Sequence, residues 1–488
     1  MIDEPAATRR VAFPLVLFVV LAAVLGFYNL TGDLMNDDEG TYLYSAWRVG
    51  AGEAAYSDFN LVQAPLSFWL MGGVFKIVGP SVGAARGLSY LLVLGAALFV
   101  YAIGKRELRL SPWASATGAA VFLFSKHVFY LGRAFMPDNL MLFCGAFALS
   151  IFIRADDGRS RRLFFLSGVL AGLAALSKLN GALVFAGFLL YLLGAGLSRG
   201  ALLRDRLRDC LWTTAGFLMT FGVPFAALLL AVPGAAFQMV FFHAGKQAAA
   251  GGSILTRPFV RLVQFVGNHN YGVVAAGLAG GCLGPTLKNK KGALLFVSAV
   301  LPLVFLFLPG RFFIRYAVFS LVPLALFCAA GLEELWRRGK IRRLLLPPIL
   351  ILVVLSLAPT FEPRRLGAHD RGTRALVSYV KNQTKPGEFV FGDDPFINFL
   401  ARRPCPGRLV DVSETWTGGG LITSADIRRE CEAVQAALIF VEKGHSAHHL
   451  VSLLDFSRFQ AYLDEKFRLA VIMKREFLDV EVYVRKLP

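Results

Sequence analysis

The sequence lacks the patterns that identify several common classes of protein. No repeat of solenoid period occurs, and the C-terminal part contains no glycine-rich phosphate loop. No basic patch with interleaved aromatic residues accompanies the net charge of +18, so a nucleic-acid partner is excluded. His445, His448 and His449 have no cysteine or carboxylate at zinc-site spacing, and we interpret them as a surface feature.

Apolar residues, by contrast, are in excess. They make up 56% of the 488 residues, against about 45–50% in soluble domains, and the mean hydropathy is +0.57. The excess lies in runs of about 20 residues, which is the length that a membrane-spanning helix requires. The sequence therefore predicts an α-helical polytopic membrane protein with about eleven transmembrane helices. The predicted spans are residues 11–30, 84–104, 112–131, 138–153, 163–177, 179–197, 211–232, 261–285, 292–309, 313–332 and 344–359.

The distribution of charge predicts the orientation of these spans. Residues 1–360 carry a net charge of +16 and residues 361–488 only +2, so the basic excess belongs to the membrane part. With the N-terminus in the cytoplasm, every cytoplasmic segment is basic, and together these segments hold 21 of the 32 Lys and Arg residues of that part. We therefore expect a multi-pass protein of the cell (inner) membrane whose C-terminal part is extracytoplasmic.

The last 128 residues predict a small α/β domain. Their apolar runs shorten to strand length, and helix-like stretches alternate with them. This gives two domains, a transmembrane domain of residues 1–360 and a soluble extracytoplasmic domain of residues 361–488. Cys405 and Cys431 could form a disulfide in an oxidising compartment, a question that the sequence leaves open. The predicted strands are residues 388–391, 436–441, 468–473 and 477–484.

The first outer segment, residues 31–83, concentrates acidic residues. Asp37, Asp38 and Glu39 are adjacent and closely follow the first span. Adjacent like charges repel, which favours a raised pKa or an attracted cation, and a carboxylate here could accept the proton of an acceptor hydroxyl. The alternative interpretation is a solvated loop, in which these acidic residues keep the end of the helix in water. Two amphipathic stretches, about 41–50 and 65–79, predict helices along the membrane surface.

A second acidic position is Asp138. It follows Pro137, which suits the first turn of a helix, so its carboxylate would lie near the positive end of the helix dipole. Beyond the first segment, Asp138 is the only acidic residue that the predicted topology places on the outer face of the membrane part. This favours a functional role over that of an acid that merely begins a helix.

Several basic residues fall on the outer side, where the positive-inside rule disfavours them. Ionisable groups at membrane depth are costly, and a lipid-linked phosphate would explain their presence; the alternative is contact with lipid headgroups. The functional interpretation is favoured for Lys178 and Arg315 and disfavoured for Arg257 and Arg261. The second outer loop, residues 233–260, would cover a site. The remaining outer residues of interest are Arg133, Arg311, His243 and Lys246.

In order and spacing, these motifs resemble those of the C-type (GT-C) glycosyltransferase superfamily. The nearest branch comprises bacterial relatives of the protein O-mannosyltransferases and the lipid A aminoarabinose transferases. The resemblance covers about residues 10–335 and departs from the pattern at Gln63, where relatives often have Lys before Pro-Pro. The matching segments are Asp38-Glu39-Gly40-Thr41-Tyr42, Gln63-Ala64-Pro65-Leu66-Ser67-Phe68-Trp69-Leu70, Ala84-Ala85-Arg86-Gly87-Leu88, residues 133–138, Leu176-Ser177-Lys178, and residues 315–323.

The resemblance implies an enzyme that moves a sugar from a polyprenyl-phosphate carrier at the extracytoplasmic face. It places catalytic acids at Asp38, with Asp37 an adjacent candidate, and at Asp138. Some relatives bind a divalent metal ion and others need none, so metal use stays open, and no other cofactor is expected. The cations predicted to bind the donor phosphate are Lys178, Arg315, Arg311 and Arg133. The residues predicted to contact substrate are Glu39, Tyr42, Gln63, Tyr316, His243 and Lys246.

The predicted reaction is a single displacement that inverts the anomeric carbon. Asp38 would deprotonate the hydroxyl of a glycan, lipid or protein acceptor, and the outer cations would stabilise the departing lipid phosphate. One alternative is a transporter or flippase of lipid-linked glycans, but the paired broken helices of such proteins are not evident. Another is a non-catalytic assembly protein, which would leave Asp38 and Asp138 without a role.

Overall fold

A computed structural model describes residues 4–31, 37–197, 203–241, 256–267, 272–274, 277, 289–305, 314–337, 371–444, 449–475 and 478–486. Up to residue 337 the named elements are helices, and from residue 371 onwards helices combine with a four-stranded sheet. The predicted span 344–359 lies outside the described residues. The count of eleven spans therefore stays a prediction.

Apolar sequence and clear start signals together produce the helices of the membrane part. Ser81 and Ser111 each accept a hydrogen bond from the backbone N–H three residues further on, while Pro112 and Pro137 occupy first-turn positions. The helices of seven or more residues are α1 (Glu4–Phe27), α2 (Asp37–Gly50), α3 (Leu66–Val78), α4 (Val82–Ala102), α5 (Pro112–Leu123), α6 (Lys126–Gly132), α7 (Pro137–Gly158), α8 (Arg161–Ser177), α9 (Ala182–Leu197), α10 (Leu203–Phe217), α11 (Val223–Ala231), α12 (Thr256–Gly267), α13 (Lys290–Phe305) and α14 (Leu321–Arg337). Wide π-helical turns cover Ile103–Glu107, Leu218–Gly222 and Phe237–Phe241, and 3-10 turns cover Leu179–Gly181 and Ile314–Ser320.

Four helical stretches of the described residues are long and apolar enough to cross a membrane. Several boundaries differ from the sequence prediction, and two of these differences have a local cause. Residues 112–131 form two helices rather than one, because the chain breaks at Ser125, whose hydroxyl donates to the carbonyl of Phe122. Helix α10 begins at Leu203, several residues before the predicted span at 211. These additional residues include Arg206, which forms ion pairs. The four stretches are Val82–Glu107, Pro137–Gly158, Leu203–Ala231 and Arg315–Arg337.

The C-terminal part contains a strand at each of the four predicted positions. The sheet order is β1-β2-β4-β3, with β1 parallel to β2 and the other two pairs antiparallel. Helix α15 covers one face of the sheet through an apolar cluster that includes Leu376, Val390 and Leu438. The strands and the helices of seven or more residues are α15 (Arg371–Gln383), β1 (Val390–Gly392), α16 (Pro395–Ala401), α17 (Ser424–Ala433), β2 (Leu438–Lys443), α18 (Phe456–Lys466), β3 (Phe467–Arg475) and β4 (Leu478–Arg485). Cys405 and Cys431 are buried and unbonded.

The C-terminal part and the first outer segment share one hydrophobic core. Buried Tyr44 and Phe68 of the first segment belong to the same cluster as Phe391 and Phe459 of the C-terminal part. Helices α2 and α3 occur at the two predicted amphipathic stretches and form much of this joint. The C-terminal part therefore packs against the segment that carries the predicted catalytic acids.

Candidate active site

Four helix ends bring the predicted acids and cations together. Asp38 lies in the first turn of α2 and Asp138 in the first turn of α7, while Lys178 directly follows α8. Arg315 is the second residue of the 3-10 turn that leads into α14, and it interacts electrostatically with both acids. We call Asp38, Tyr42, Asp138, Lys178, Arg315 and Tyr316 the outer cluster.

Asp138 and Lys178 form a buried ion pair. The Lys178 Nζ lies 2.7 Å from Oδ1 and 2.8 Å from Oδ2 of Asp138, so both carboxylate oxygens accept from it. The ammonium also lies 4.8 Å from the ring centroid of Tyr316, a favourable cation–π contact. The Asp138 side chain is fully buried, so the structure holds it as an orienting partner of Lys178. Proton transfer by Asp138 itself stays a prediction.

Asp38 and Arg315 form the second ion pair, which is more open. Arg315 Nη2 lies 2.5 Å from Asp38 Oδ2. The Asp38 side chain is 43% exposed and that of Arg315 12%, whereas the Asp138 side chain has no exposed surface. Of the two described acids in the cluster, Asp38 is therefore the one that an incoming hydroxyl can reach. The backbone of Asp37 is described, but its side chain is not.

Tyr42 and Gln63 line the same region from the first outer segment. Gln63 Nε2 donates to the Tyr42 hydroxyl at 3.0 Å, and the Tyr56 hydroxyl donates to the Gln63 carbonyl at 2.6 Å. Burial raises the pKa of Tyr42 well above its ordinary value, and the charge of Asp38 raises it further. Tyr42 therefore stays a neutral hydroxyl, and its contact with substrate stays a prediction.

Glu39 has partners within the protein rather than an open face. Its two oxygens lie 2.8 and 2.7 Å from the Arg86 guanidinium, and the backbone N–H of Phe135 donates to it at 2.9 Å. The side chains of Glu39 and Arg86 are both fully buried. This geometry fixes the first turn of α2 and so the position of Asp38. A direct contact between Glu39 and substrate stays a prediction.

Arg133 caps a helix instead of facing the outer cluster. It donates to the carbonyls of Gly26 and Tyr28 at the end of α1, and its guanidinium lies 5.6 Å from the Phe129 ring centroid. Carbonyls at a helix C-terminus have no partner within the helix, so a buried arginine satisfies them. Arg133 is 2% exposed, and its role in binding phosphate stays a prediction.

Sequence reasoning missed two residues that shape the site. Arg86 belongs to a segment quoted for the resemblance, but an isolated arginine gave no sign that Glu39 is its partner. Asp411 lies in the C-terminal part, where it forms two hydrogen bonds with Asn60: the Asn60 amide donates to its carbonyl at 2.9 Å, and its N–H donates back at 3.1 Å. Burial raises the pKa of Asp411, and the charge of Asp38 acts in the same direction. No local pattern links residues 351 positions apart.

Three predicted residues, Arg311, His243 and Lys246, lie outside the described residues. Among the described residues, no three side chains of the kinds that bind metals lie close enough together to hold an ion. The two acids of the outer cluster each have a positively charged partner instead, which suits them poorly to a divalent cation. Metal use therefore stays a question for experiment.

The opposite end of α7 carries a second set of ion pairs. Asp156 binds Arg206, accepts a hydrogen bond from the Tyr191 hydroxyl at 2.8 Å, and lies 3.4 Å from Lys290 Nζ. Nearby, Lys291 Nζ lies 2.7 Å from Asp157. We call Asp156, Asp157, Tyr191, Arg206, Asp209, Lys290 and Lys291 the inner network. Several segments that the sequence predicts to be cytoplasmic thus meet at one end of the helices.

Comparisons with known proteins agree with this architecture. Residues 62–227 match the family model of dolichyl-phosphate-mannose-protein mannosyltransferases. No curated protein matches the chain. ArnT from Cupriavidus metallidurans, solved bound to undecaprenyl phosphate, is similar in structure, with a TM-score of 0.69 at 14% identity over 96% of this chain and 98% of that one.

Two further solved structures share the fold. The Archaeoglobus fulgidus oligosaccharyltransferase gives a TM-score of 0.56 at 12% identity over 88% of this chain and 69% of that one. The arabinofuranosyltransferase AftD from Mycobacteria gives 0.56 at 14% identity over 96% and 41%. The resemblance inferred from the sequence motifs is confirmed: the chain has the fold of the C-type (GT-C) membrane glycosyltransferases.

Proposed function

We propose that this protein is a membrane glycosyltransferase that moves a sugar from a polyprenyl-phosphate carrier to an acceptor at the extracytoplasmic face. The observation that carries the proposal is the outer cluster, in which a half-exposed acid, the buried Lys178 and the largely buried Arg315 meet at four helix ends. ArnT, which shares the fold, was solved with undecaprenyl phosphate, and the archaeal oligosaccharyltransferase with dolichol-phosphate. A lipid-linked phosphate is therefore the proposed ligand of Lys178 and Arg315.

The proposed reaction begins when the donor phosphate enters the outer cluster. The phosphate competes with Asp38 for Arg315, because a guanidinium binds phosphate oxygens as well as carboxylate oxygens. Asp38 is then released to accept the proton of the acceptor hydroxyl. The acceptor oxygen attacks the anomeric carbon from the face opposite the carrier. The bond between that carbon and the phosphate oxygen breaks, and its electron pair stays with the phosphate.

Lys178 and Arg315 are proposed to stabilise the negative charge that grows on the leaving phosphate. They are held in position before the reaction, Lys178 by Asp138 and the Tyr316 ring, and Arg315 by Asp38. Fixed charges in a site of low polarity need little rearrangement, which is why such groups contribute strongly to catalysis. A single displacement of this kind would invert the anomeric configuration.

The proposed orientation rests on the two ends of α7. The basic segments of the sequence meet in the inner network, which fits the cytoplasmic side, and the outer cluster then lies on the extracytoplasmic side. An acceptor bound between the outer cluster and the C-terminal part would approach Asp38 from water. The acceptor is proposed to be a hydroxyl of a glycan, lipid or protein of the cell envelope.

The test is substitution of Asp38 by Asn, which keeps the shape of the side chain and removes the proton acceptor. Mass spectrometry of envelope glycans from cells with and without the gene identifies the missing sugar. We expect the wild-type gene to restore it and Asp38→Asn to transfer at least about 100-fold more slowly in a reconstituted assay.

The matched control is Asp58→Asn, an exposed acid of the same segment whose carboxylate accepts only local hydrogen bonds from Ala54 and Ser57. It should transfer at the wild-type rate. Full activity of a folded Asp38→Asn protein would contradict the assignment of Asp38. Translocation of a lipid-linked glycan without sugar transfer would instead favour a flippase.

A further inference from the structure

Helix α16 of the C-terminal part packs directly on α2. The point of contact on α2 is Gly40, two residues after Asp38. A methyl group at Gly40 would come within 2.8 Å of the Phe396 Cβ, 2.9 Å of the Asp394 Oδ1 and 3.1 Å of the Phe396 backbone nitrogen. These distances are shorter than van der Waals contact, so only glycine permits this approach at position 40. The beginning of α16 thus presses against the turn that carries the proposed base.

The contact continues along both helices of the first outer segment. The Phe399 ring lies 6.4 Å from Trp47 on α2 and 5.7 Å from Phe75 on α3, measured between ring centroids. Arg402, at the end of α16, donates to the carbonyl of Pro80 just before α4. Helix α16 therefore packs on the first outer segment over its whole length.

Buried charges fix the beginning of α16 to the sheet. Asp394 caps the helix by accepting from the Phe396 N–H at 2.9 Å, and its other oxygen lies 2.7 Å from Arg475. Arg475 also lies 2.8 Å from Glu442 on β2 and donates to the Thr373 hydroxyl at 2.9 Å. Since Arg475 holds three different elements at once, the position of Asp394 follows the position of the sheet.

Three further hydrogen bonds hold the same two parts together. Asn60 and Asp411 exchange hydrogen bonds, and the Cys405 N–H donates to the Tyr44 hydroxyl at 2.6 Å. Tyr44 lies on α2, one turn beyond Gly40. The C-terminal part therefore contacts α2 at two successive turns, in addition to the Glu39–Arg86 pair on the membrane side.

We propose that the C-terminal part is a positioning element of the active site, which through Asp394 and Phe396 on Gly40 sets the place of Asp38 relative to Arg315. The inference rests on the proposed function, because it assigns the C-terminal part a task in that reaction. Gly40, Asp394 and Phe396 touch no reacting atom and act through Asp38. A displacement of about 1 Å in a catalytic group is enough to slow a reaction about 100-fold.

The experiment compares Gly40→Ala with Gly73→Ala in the full-length, reconstituted protein. Both glycines lie inside helices, where alanine is intrinsically the better residue, so neither change weakens helix formation by itself. A methyl group at Gly73 would meet no atom within 4 Å. We expect Gly40→Ala to lower kcat about 10- to 100-fold with the KM for the polyprenyl-phosphate sugar within about twofold of wild type. Gly73→Ala should match wild type in both.

A smaller fraction of folded protein would also lower the apparent kcat without changing KM. The value of kcat is therefore expressed per folded molecule, with the folded fraction of each variant measured by size-exclusion chromatography and thermal unfolding. If Gly40→Ala fails to fold, Asp394→Asn decides, since it keeps the cap acceptor and removes the charge that Arg475 binds. A lower kcat for Asp394→Asn supports the proposal. Wild-type kcat in either folded variant, with Asp38→Asn inactive, overturns this inference alone. An active Asp38→Asn would overturn the proposed function instead.

Discussion

The two ends of α7 solve opposite electrostatic problems. Asp138 lies in its first turn and Asp156 in its last, about 30 Å apart for a helix of 22 residues. The helix dipole favours a negative charge at the first end and disfavours it at the second. Asp138 accordingly has one cation, Lys178, bound to it, whereas Asp156 is surrounded by Arg206, Lys290 and the Tyr191 hydroxyl.

This difference distinguishes a structural ion-pair network at one end of α7 from a candidate active site at the other. In the inner network, protein groups from several helices surround the buried carboxylate of Asp156. In the outer cluster, Lys178 lies over the Tyr316 ring and Arg315 is paired with a half-exposed acid. In our proposal, an entering phosphate takes the place of that carboxylate. Similar residue types therefore serve stability at one end and, in our proposal, chemistry at the other.

The sharpest way to break the comparison is Asp138→Asn. The change leaves Lys178 beside Arg315 without its carboxylate, so the ammonium loses the partner that orients it. We expect kcat per folded molecule to fall about 100-fold or more, as when one preorganised charge-stabilising group is removed. Binding of polyprenyl phosphate, measured by titration of the purified protein, should persist, because two cations remain and one competing anion is gone.

Normal transfer by folded Asp138→Asn would mean that Lys178 needs no orienting acid. Loss of phosphate binding together with transfer would instead show that Asp138 supports the whole pocket.

The corresponding change in the inner network is Asp156→Asn, which we expect to lower stability rather than the rate of transfer. Removing one partner from a buried ion pair typically costs about 3 kcal/mol. Among the described residues, the carboxylate that then remains paired with Arg206 is that of Asp209, at 3.6 Å. We expect a lower unfolding temperature in detergent and a transfer rate per folded molecule within about twofold of wild type. A large loss of kcat without a loss of stability would show that the inner network also communicates with the active site.

Sequence reasoning predicted best what depends on local pattern. The four strands lie where apolar runs shorten, and α7 begins at Pro137, because both signals act within a few residues. The acids and cations of the outer cluster were also found individually. Asp38, Asp138, Lys178 and Arg315 stand out because charge at membrane depth on the outer side needs an explanation.

What the sequence could not supply was the pairing of these residues. Arg86 is 47 positions from Glu39, Arg315 is 277 from Asp38, and Asp411 is 351 from Asn60. Such contacts follow from the way the helices pack, which no single segment encodes. The same reason explains why Glu39, predicted to contact substrate, lies buried against Arg86, and why the C-terminal part shares its core with the first outer segment.

The smallest expected effect comes from Tyr191→Phe, which removes one hydrogen bond from the inner network and changes no charge. The Tyr191 hydroxyl donates to Asp156 at 2.8 Å, but Asp156 keeps Arg206 and Lys290. We expect stability to fall by about 1 kcal/mol, the usual net value of one hydrogen bond, with transfer unchanged. In the Asp156→Asn background, Tyr191→Phe should lower the free energy of unfolding by less than it does alone, because the two residues share one interaction. Full additivity in thermal unfolding would mean that the hydroxyl stabilises α9 independently of Asp156, and the inner network would then be two separate joints rather than one.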